Sequence, residues 1–205
     1  MTLWFATGNL HKREELAAVL KGHTVKMPRE GGFVFDPDET GTTFLENALI
    51  KGRALYRLVR EPVIADDSGL CVDALGGGPG IYSARYGSGR NRETGAPGEG
   101  KLSAPERNAL LLEELGDTPR RSARFVCAMA LILGEDRFCT VQETLEGEIA
   151  GSLGEARGSG GFGYDPVFYL PGRGCTVAEL SEADKNLISH RGKAARAIAK
   201  LLAGG

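Results

Sequence analysis

The chain reads as a mixed α/β protein, and three observations point there. Short apolar runs at 3–6 and 63–65 have the length of buried strands. Apolar residues elsewhere recur at helical spacing behind clear N-cap signals. Two longer β-type runs, 125–133 and 138–145, flank a Gly134-Glu135-Asp136 turn of hairpin type.

Each element has its own justification. Residues 3–6 run straight into Thr7-Gly8-Asn9, and Asn9 is a good N-cap for a helix carrying Leu16, Val19 and Leu20. Thr43 and Glu46 match a capping box at the head of a second helix, with Phe44, Ala48, Leu55, Tyr56 and Val59 as its apolar face. Pro62 closes that segment, and 63–65 follows as a strand ending before Asp66. The polar, glycine-rich stretch from Gly87 to Gly100 lacks periodicity and reads as a mobile loop. Ser103 and Glu106 repeat the capping box ahead of Leu110, Leu111, Leu112 and Leu115. The basic cluster from Arg120 to Arg124 is expected at a solvated edge, and a last helix is predicted over 193–202 with Ala194, Ala195, Ile198 and Leu201 on one face.

Composition sets the bounds. A chain of 205 residues can bury one sizeable core, and with no internal repeat or linker it is expected to be a single domain over 1–205. A net charge of -2 argues against holding nucleic acid by bulk electrostatics, while leaving room for a local basic pocket around a small anion. Cys71, Cys127, Cys139 and Cys175 are widely spaced, so neither a disulfide framework nor a zinc site is indicated. No apolar run approaches about 18 residues and the first residues show no charged-then-apolar signal, so the cytoplasm is the expected compartment and no membrane partner is expected.

Four segments carry chemistry. The run Ser159-Gly160-Gly161-Phe162-Gly163-Tyr164-Asp165-Pro166 sets Phe162 and Tyr164 between glycines, which suits an exposed stacking surface for a planar heterocycle. A tight turn with its aromatics folded inward is the plainer reading. Thr7-Gly8-Asn9-Leu10-His11-Lys12 makes a strand–turn–helix whose unpaired N–H groups and early lysine suit phosphate oxygens, though it is shorter than the P-loop pattern. Asp66-Asp67 would repel each other unless a cation or proton intervened, and a hard divalent metal would resolve that. Side chains alternate along a strand, so one aspartate can bind metal or act as a base while the other supports it. A solvated Asp-Asp-Ser-Gly turn is the plainer alternative. Glu39 offers a further metal ligand or merely a favourable charge before the second helix. Ser189-His190-Arg191-Gly192 opens the last helix: Ser189 caps it, while His190 and Arg191 offer donors to a carbonyl edge, and Lys185 could reach a phosphate.

These segments, in this order, resemble the inosine/xanthosine triphosphate pyrophosphatase family, enzymes that clear aberrant purine nucleotides. The resemblance covers nearly the whole chain. It runs from Phe5-Ala6-Thr7-Gly8-Asn9 with Lys12, through 39–48, Ala65-Asp66-Asp67-Ser68-Gly69-Leu70 and Pro79-Gly80-Ile81-Tyr82-Ser83-Ala84-Arg85-Tyr86, to 160–166, Lys185 and 188–192. It implies an elongated mixed β-sheet flanked by helices, two lobes with an active-site cleft between them, and a homodimer. It also implies Mg²⁺-dependent hydrolysis of ITP, dITP and XTP to the monophosphate and pyrophosphate. Carried over to this chain, Thr7, Gly8, Asn9, Leu10, His11 and Lys12 would bind the triphosphate with Ser68, and Glu39 and Asp67 would hold the metal. Asp67 would also be the proton acceptor, with Asp66 beside it as support. Phe162, Gly163, Tyr164 and Asp165 would line the base and sugar pocket, and Lys185, His190 and Arg191 would complete recognition. The chain departs from the family pattern most between Arg90 and Ala104. A nucleotide-binding module without hydrolysis is the rival class, and the clustered carboxylates beside a polyanion site argue against it.

Overall fold

The computed structural model describes residues 1–88, 100 and 102–203. Among them are seven strands in the order β2-β1-β3-β4-β5-β6-β7: β1 (Thr2–Phe5), β2 (Thr24–Lys26), β3 (Val63–Val72), β4 (Ser122–Ile132), β5 (Phe138–Ile149), β6 (Phe168–Leu170) and β7 (Cys175–Thr176). β1 pairs in parallel with β2 and β3, whereas β5/β6 and β6/β7 are antiparallel, so the sheet is mixed. The α-helices are α1 (Leu10–Val19), α2 (Phe44–Val59), α3 (Ala104–Leu115), α4 (Glu182–Ile188) and α5 (His190–Ala203). Among the described residues no helix is long and apolar enough to cross a membrane.

The chain divides into two compact units. The first comprises Met1–Ser68, Val126–Leu145 and Asp184–Gly205, and its core follows the period of two along its strands. Leu3, Phe5, Ile64, Cys127, Met129 and Leu131 form one apolar cluster with Leu16 and Leu20 of α1 and Ala194, Ala195 and Ile198 of α5. Trp4, Ala6, Val63, Ala65, Ala130 and Ile132 form the other with Ala48 and Leu55 of α2. Successive strand residues thus belong to opposite faces, one covered by α1 and α5 and the other by α2.

The second unit comprises Gly69–Phe125 and Glu146–Ala183. Its core includes Leu70, Val72, Leu111, Leu115, Val167 and Phe168, with the Phe125 and Phe168 rings stacked at 4.4 Å. Gly147 lets the Phe168 ring and the Tyr169 carbonyl lie against the backbone, where any side chain would intrude.

The helix starts match the capping signals. Asn9 accepts from the Lys12 N–H at 3.3 Å, the Glu46 carboxylate accepts from Thr43 N at 3.2 Å while Thr43 Oγ1 accepts from Glu46 N at 3.1 Å, and the Glu106 carboxylate accepts from Ser103 N at 2.7 Å. Three readings need correction. β3 continues through Asp66 to Val72 instead of ending at residue 65. Arg121 and Arg124 are not simply solvated: Arg121 donates to the Ile149 and Ala150 carbonyls, and Arg124 bridges Asp73 and Glu146. Leu201 is exposed, and the neighbouring Leu202 packs on the core instead. Lys185 lies in α4. The expected loop from Gly87 to Gly100 and the departure between Arg90 and Ala104 fall largely on 89–99 and 101, outside the described residues.

Candidate active site

The register of two parallel strands builds the site. Phe5, the last residue of β1, lies opposite Ile64, so the turn Thr7-Gly8-Asn9 comes level with Asp66 one strand over. The turn is tied down locally: Thr7 Oγ1 accepts from Asn9 N at 3.1 Å, and Asn9 caps α1. A side chain at Gly8 would meet nothing within 4 Å. The protein's own packing therefore does not demand glycine there, whereas a ligand drawing close to the backbone at a helix N-terminus would. Leu10 and His11 are exposed on the first turn, and His11 pairs loosely with Glu14.

Strand alternation separates the two aspartates. Asp66 follows Ile64 onto the face of α1 and α5; Asp67 follows Val63 and Ala65 onto the face of α2. On the first face Lys12 Nζ donates to both Asp66 oxygens at 3.1 and 3.0 Å, and Arg191 Nε donates to Oδ2 at 3.1 Å. The Cys127 thiol lies 3.9 Å from the same oxygen. Burial would raise the Asp66 carboxyl, yet Lys12, Arg191 and Lys51 hold it far below the usual carboxylate range. Asp66 is a fixed anion.

Arg191 is 2% exposed and spreads its fork widely. Beyond Asp66, Nη2 donates to Ser68 Oγ at 2.7 Å and Nη1 to Glu15 Oε2 at 2.5 Å. Glu15 also receives Lys185 Nζ at 2.8 Å. Burial opposes ionisation of Glu15, but Arg191 and Lys185 together lower its pKa below the ordinary value. His190 is buried, and desolvation with the nearby Arg191 and Lys185 charges pushes its pKa well below the usual histidine range, so it is neutral at pH 7. Asp66, Ser68 and Glu15 thus hold the Arg191 guanidinium through all three of its nitrogens.

On the second face Asn47 Nδ2 donates to Asp67 Oδ2 at 3.2 Å and Lys51 Nζ lies 3.3 Å from Oδ1. Lys51 also lies 3.1 Å from Glu39 Oε1, so Glu39 and Asp67 converge on one cation. Asn47 ties this group to the Glu39 loop, its Oδ1 accepting from Gly41 N at 2.9 Å. Burial raises the Asp67 carboxyl above its ordinary value against the pull of Lys51, and Glu39 adds to the rise. Asp67 is the carboxylate nearer to taking a proton.

Sequence reasoning missed Asn47, Lys51 and Glu15. Asn47 and Lys51 are four apart and share the buried face of α2 with Ala48 and Leu55. Polar residues at core positions of a helix were the signal that could have found them.

In the second unit, Gly161 and Gly163 take φ of 69° and 67°, and Asp165 accepts from Phe162 N at 2.7 Å. A side chain at Gly161 would run into the Asp165 carboxylate. Phe162 is half-buried, but Tyr164 is not the exposed stacking ring expected: it is 4% exposed and its hydroxyl donates to the Ser83 carbonyl at 3.0 Å. Tyr164 and Asp165 therefore build the turn that carries Phe162.

Four carboxylates (Asp66, Asp67, Glu39, Glu15) and four cations (Lys12, Lys51, Lys185, Arg191) thus interlock beside a helix N-terminus in the first unit. Fold and site together define an α/β protein with a charge-balanced polar centre laid across the two faces of one strand. The chain belongs to the Ham1 family, whose sequence profile matches residues 3–201. It is 49% identical over 204 residues to a dITP/XTP pyrophosphatase of Treponema denticola, covering 100% of both chains. It is also 49% identical over 194 residues to that of Geobacillus kaustophilus, covering 92% of this chain and 88% of the relative. Among solved structures, a HAM1 protein from Coxiella burnetii matches with TM-score 0.86 at 36% identity, covering 100% of both chains. The Staphylococcus aureus Ham1 protein matches with TM-score 0.84 at 38% identity, covering 100% of this chain and 99% of that one.

Proposed function

We propose that this chain hydrolyses dITP, XTP and ITP to the nucleoside monophosphate and pyrophosphate. The observation that carries the reading is the division of labour within Asp66-Asp67: one carboxylate is locked by Lys12 and Arg191, while the other is raised toward proton acceptance beside Glu39. Full-length relatives named for this activity support it.

In this reading Thr7 to Lys12 and Ser68 receive the triphosphate, with α1 offering its N-terminal N–H groups and Lys12 its charge. Asp67 takes the proton of the attacking water, a task for which a raised carboxyl is better matched than an ordinary one. Glu39 and Asp67 would hold Mg²⁺. The fit is chemical: both are hard oxygen donors already converging on one cation, and Mg²⁺ commonly takes one or two carboxylates plus substrate phosphates. When bound, the ion supplies charge neutralisation at the phosphoryl oxygens. Phe162 stacks on the base from a turn held by Gly163, Tyr164 and Asp165. Lys185, His190 and Arg191 complete recognition of the base and nucleotide, with Arg191 held in place by Asp66, Ser68 and Glu15. The homodimer, cytoplasmic action and one functional domain over 1–205 belong to the same proposal, on the strength of the resemblance.

The test is pyrophosphate release from dITP, XTP, ITP, GTP and ATP, with Mg²⁺ and with chelator. Mg²⁺-dependent release from the first three, well above that from GTP and ATP, is expected. Saturable binding of dITP without release would instead make the chain a nucleotide-binding module.

A further inference from the structure

α4 ends at Ile188 and α5 begins at His190, leaving Ser189 alone at the bend. The last four carbonyls of a helix have no partner within it, and a bend this tight must supply others. Three are met here. The Lys185 carbonyl accepts from Ser189 N at 2.8 Å, and the Asn186 and Leu187 carbonyls accept from Nη1 and Nη2 of Arg196 at 2.7 and 2.6 Å. Ser189 Oγ accepts from Gly192 N at 3.0 Å, and any side chain at 192 would collide with the Asn186 carbonyl. The elbow has no slack.

Lys185 stands on one side of this elbow and His190 and Arg191 on the other, with Lys185 and Arg191 meeting again on Glu15. Binding two successive carbonyls is geometry that a planar guanidinium supplies and a single ammonium does not. We propose that Arg196 is a positioning residue: by clamping the α4–α5 elbow it sets the register of Lys185, His190 and Arg191 in the site. The consequence for catalysis rests on the pyrophosphatase reading; the clamp itself does not.

The experiment compares wild type, Arg196→Ala and Arg196→Lys by dITP kinetics and by amide deuterium exchange well below the melting temperature. Arg196→Ala should lower kcat/KM by about 10- to 100-fold, since a displacement on the order of 1 Å suffices for that. Its exchange should quicken across 182–192 and not elsewhere, and Arg196→Lys should recover only part of the loss. Unchanged kcat/KM, or exchange that quickens throughout the first unit, would overturn the proposal. If wild type releases no pyrophosphate, the functional reading fails separately. Exchange across 182–192 then decides the clamp: faster in Arg196→Ala upholds it, unchanged removes it.

Discussion

Asp66 and Asp67 are consecutive on one strand, yet their surroundings differ in kind. Asp66 accepts three hydrogen bonds from two cations, and its side chain is fully shielded from water. Asp67 faces an amide and one lysine that it shares with Glu39, and its side chain retains some exposure. Strand pleating alone can therefore sort two identical side chains into an anchor and a reagent, because it delivers them to helices of different composition.

Neutralising each carboxylate in turn puts the largest strain on this contrast. Asp67→Asn should keep the fold and lose about 10²–10⁴ in kcat, as removal of a general base does. Circular dichroism beside pyrophosphate release checks this, and full activity would strip Asp67 of its role. Asp66→Asn should act mainly on stability, because it takes the counter-charge from the part-buried Lys12 and leaves the buried Arg191 with Glu15 alone. Breaking a buried pair costs about 3–5 kcal/mol, and at about 2–4 °C per kcal/mol for a chain of this size thermal unfolding should fall by on the order of 10 °C. A melting curve that matches wild type would deny Asp66 the role of anchor.

Titration separates the pair through its sign. Asp66 and Glu15 are lowered in the folded state, so the unfolded chain binds more protons and stability rises with pH. Their contribution is complete above the unfolded carboxylate range near pH ~4 and is lost as pH falls through the folded values. Asp67 is raised, so the folded chain binds more protons and its contribution declines as pH climbs from about 4 through the folded value. In denaturant melts from about pH 2 to about pH 7, Asp66→Asn should flatten the acid slope, whereas Asp67→Asn should steepen it. Slopes changing in the same direction for both would contradict the division. The smallest effect expected is at the elbow: Ser189→Ala removes a helix cap and should cost about 1 kcal/mol, read as a shift of a few degrees in melting temperature.

Local signals were legible and distant ones were not. Asn9, Thr43 with Glu46, and Ser103 with Glu106 marked three helix starts, because a cap acts within four residues. The run of β3 through Asp66 and Asp67 was illegible, because carboxylates disfavour a buried strand until partners arrive from residues 12, 47, 51 and 191. Tyr164 misled for a related reason: its hydroxyl partner at Ser83 is 81 positions away. Asp67, Lys12 and Glu39 were each legible as candidates within their own segments, but that Asp66 and Glu15 balance Arg191 follows only from the fold.

Sequence distance also becomes time. The guanidinium that compensates Asp66 lies 125 positions downstream, in a helix that also supplies Ala194, Ala195 and Ile198 to the core. A ribosome adding about 5–20 residues per second needs roughly 6–25 s to cover that interval. Throughout it the nascent strand carries a carboxylate that water solvates better than the unfinished interior does. The charge balance of Asp66 and one core cluster of the first unit are therefore complete only after α5 has emerged. A product cut short ahead of α5 would lack Ala194, Ala195 and Ile198 from one core cluster and would leave Asp66 with Lys12 but without Arg191.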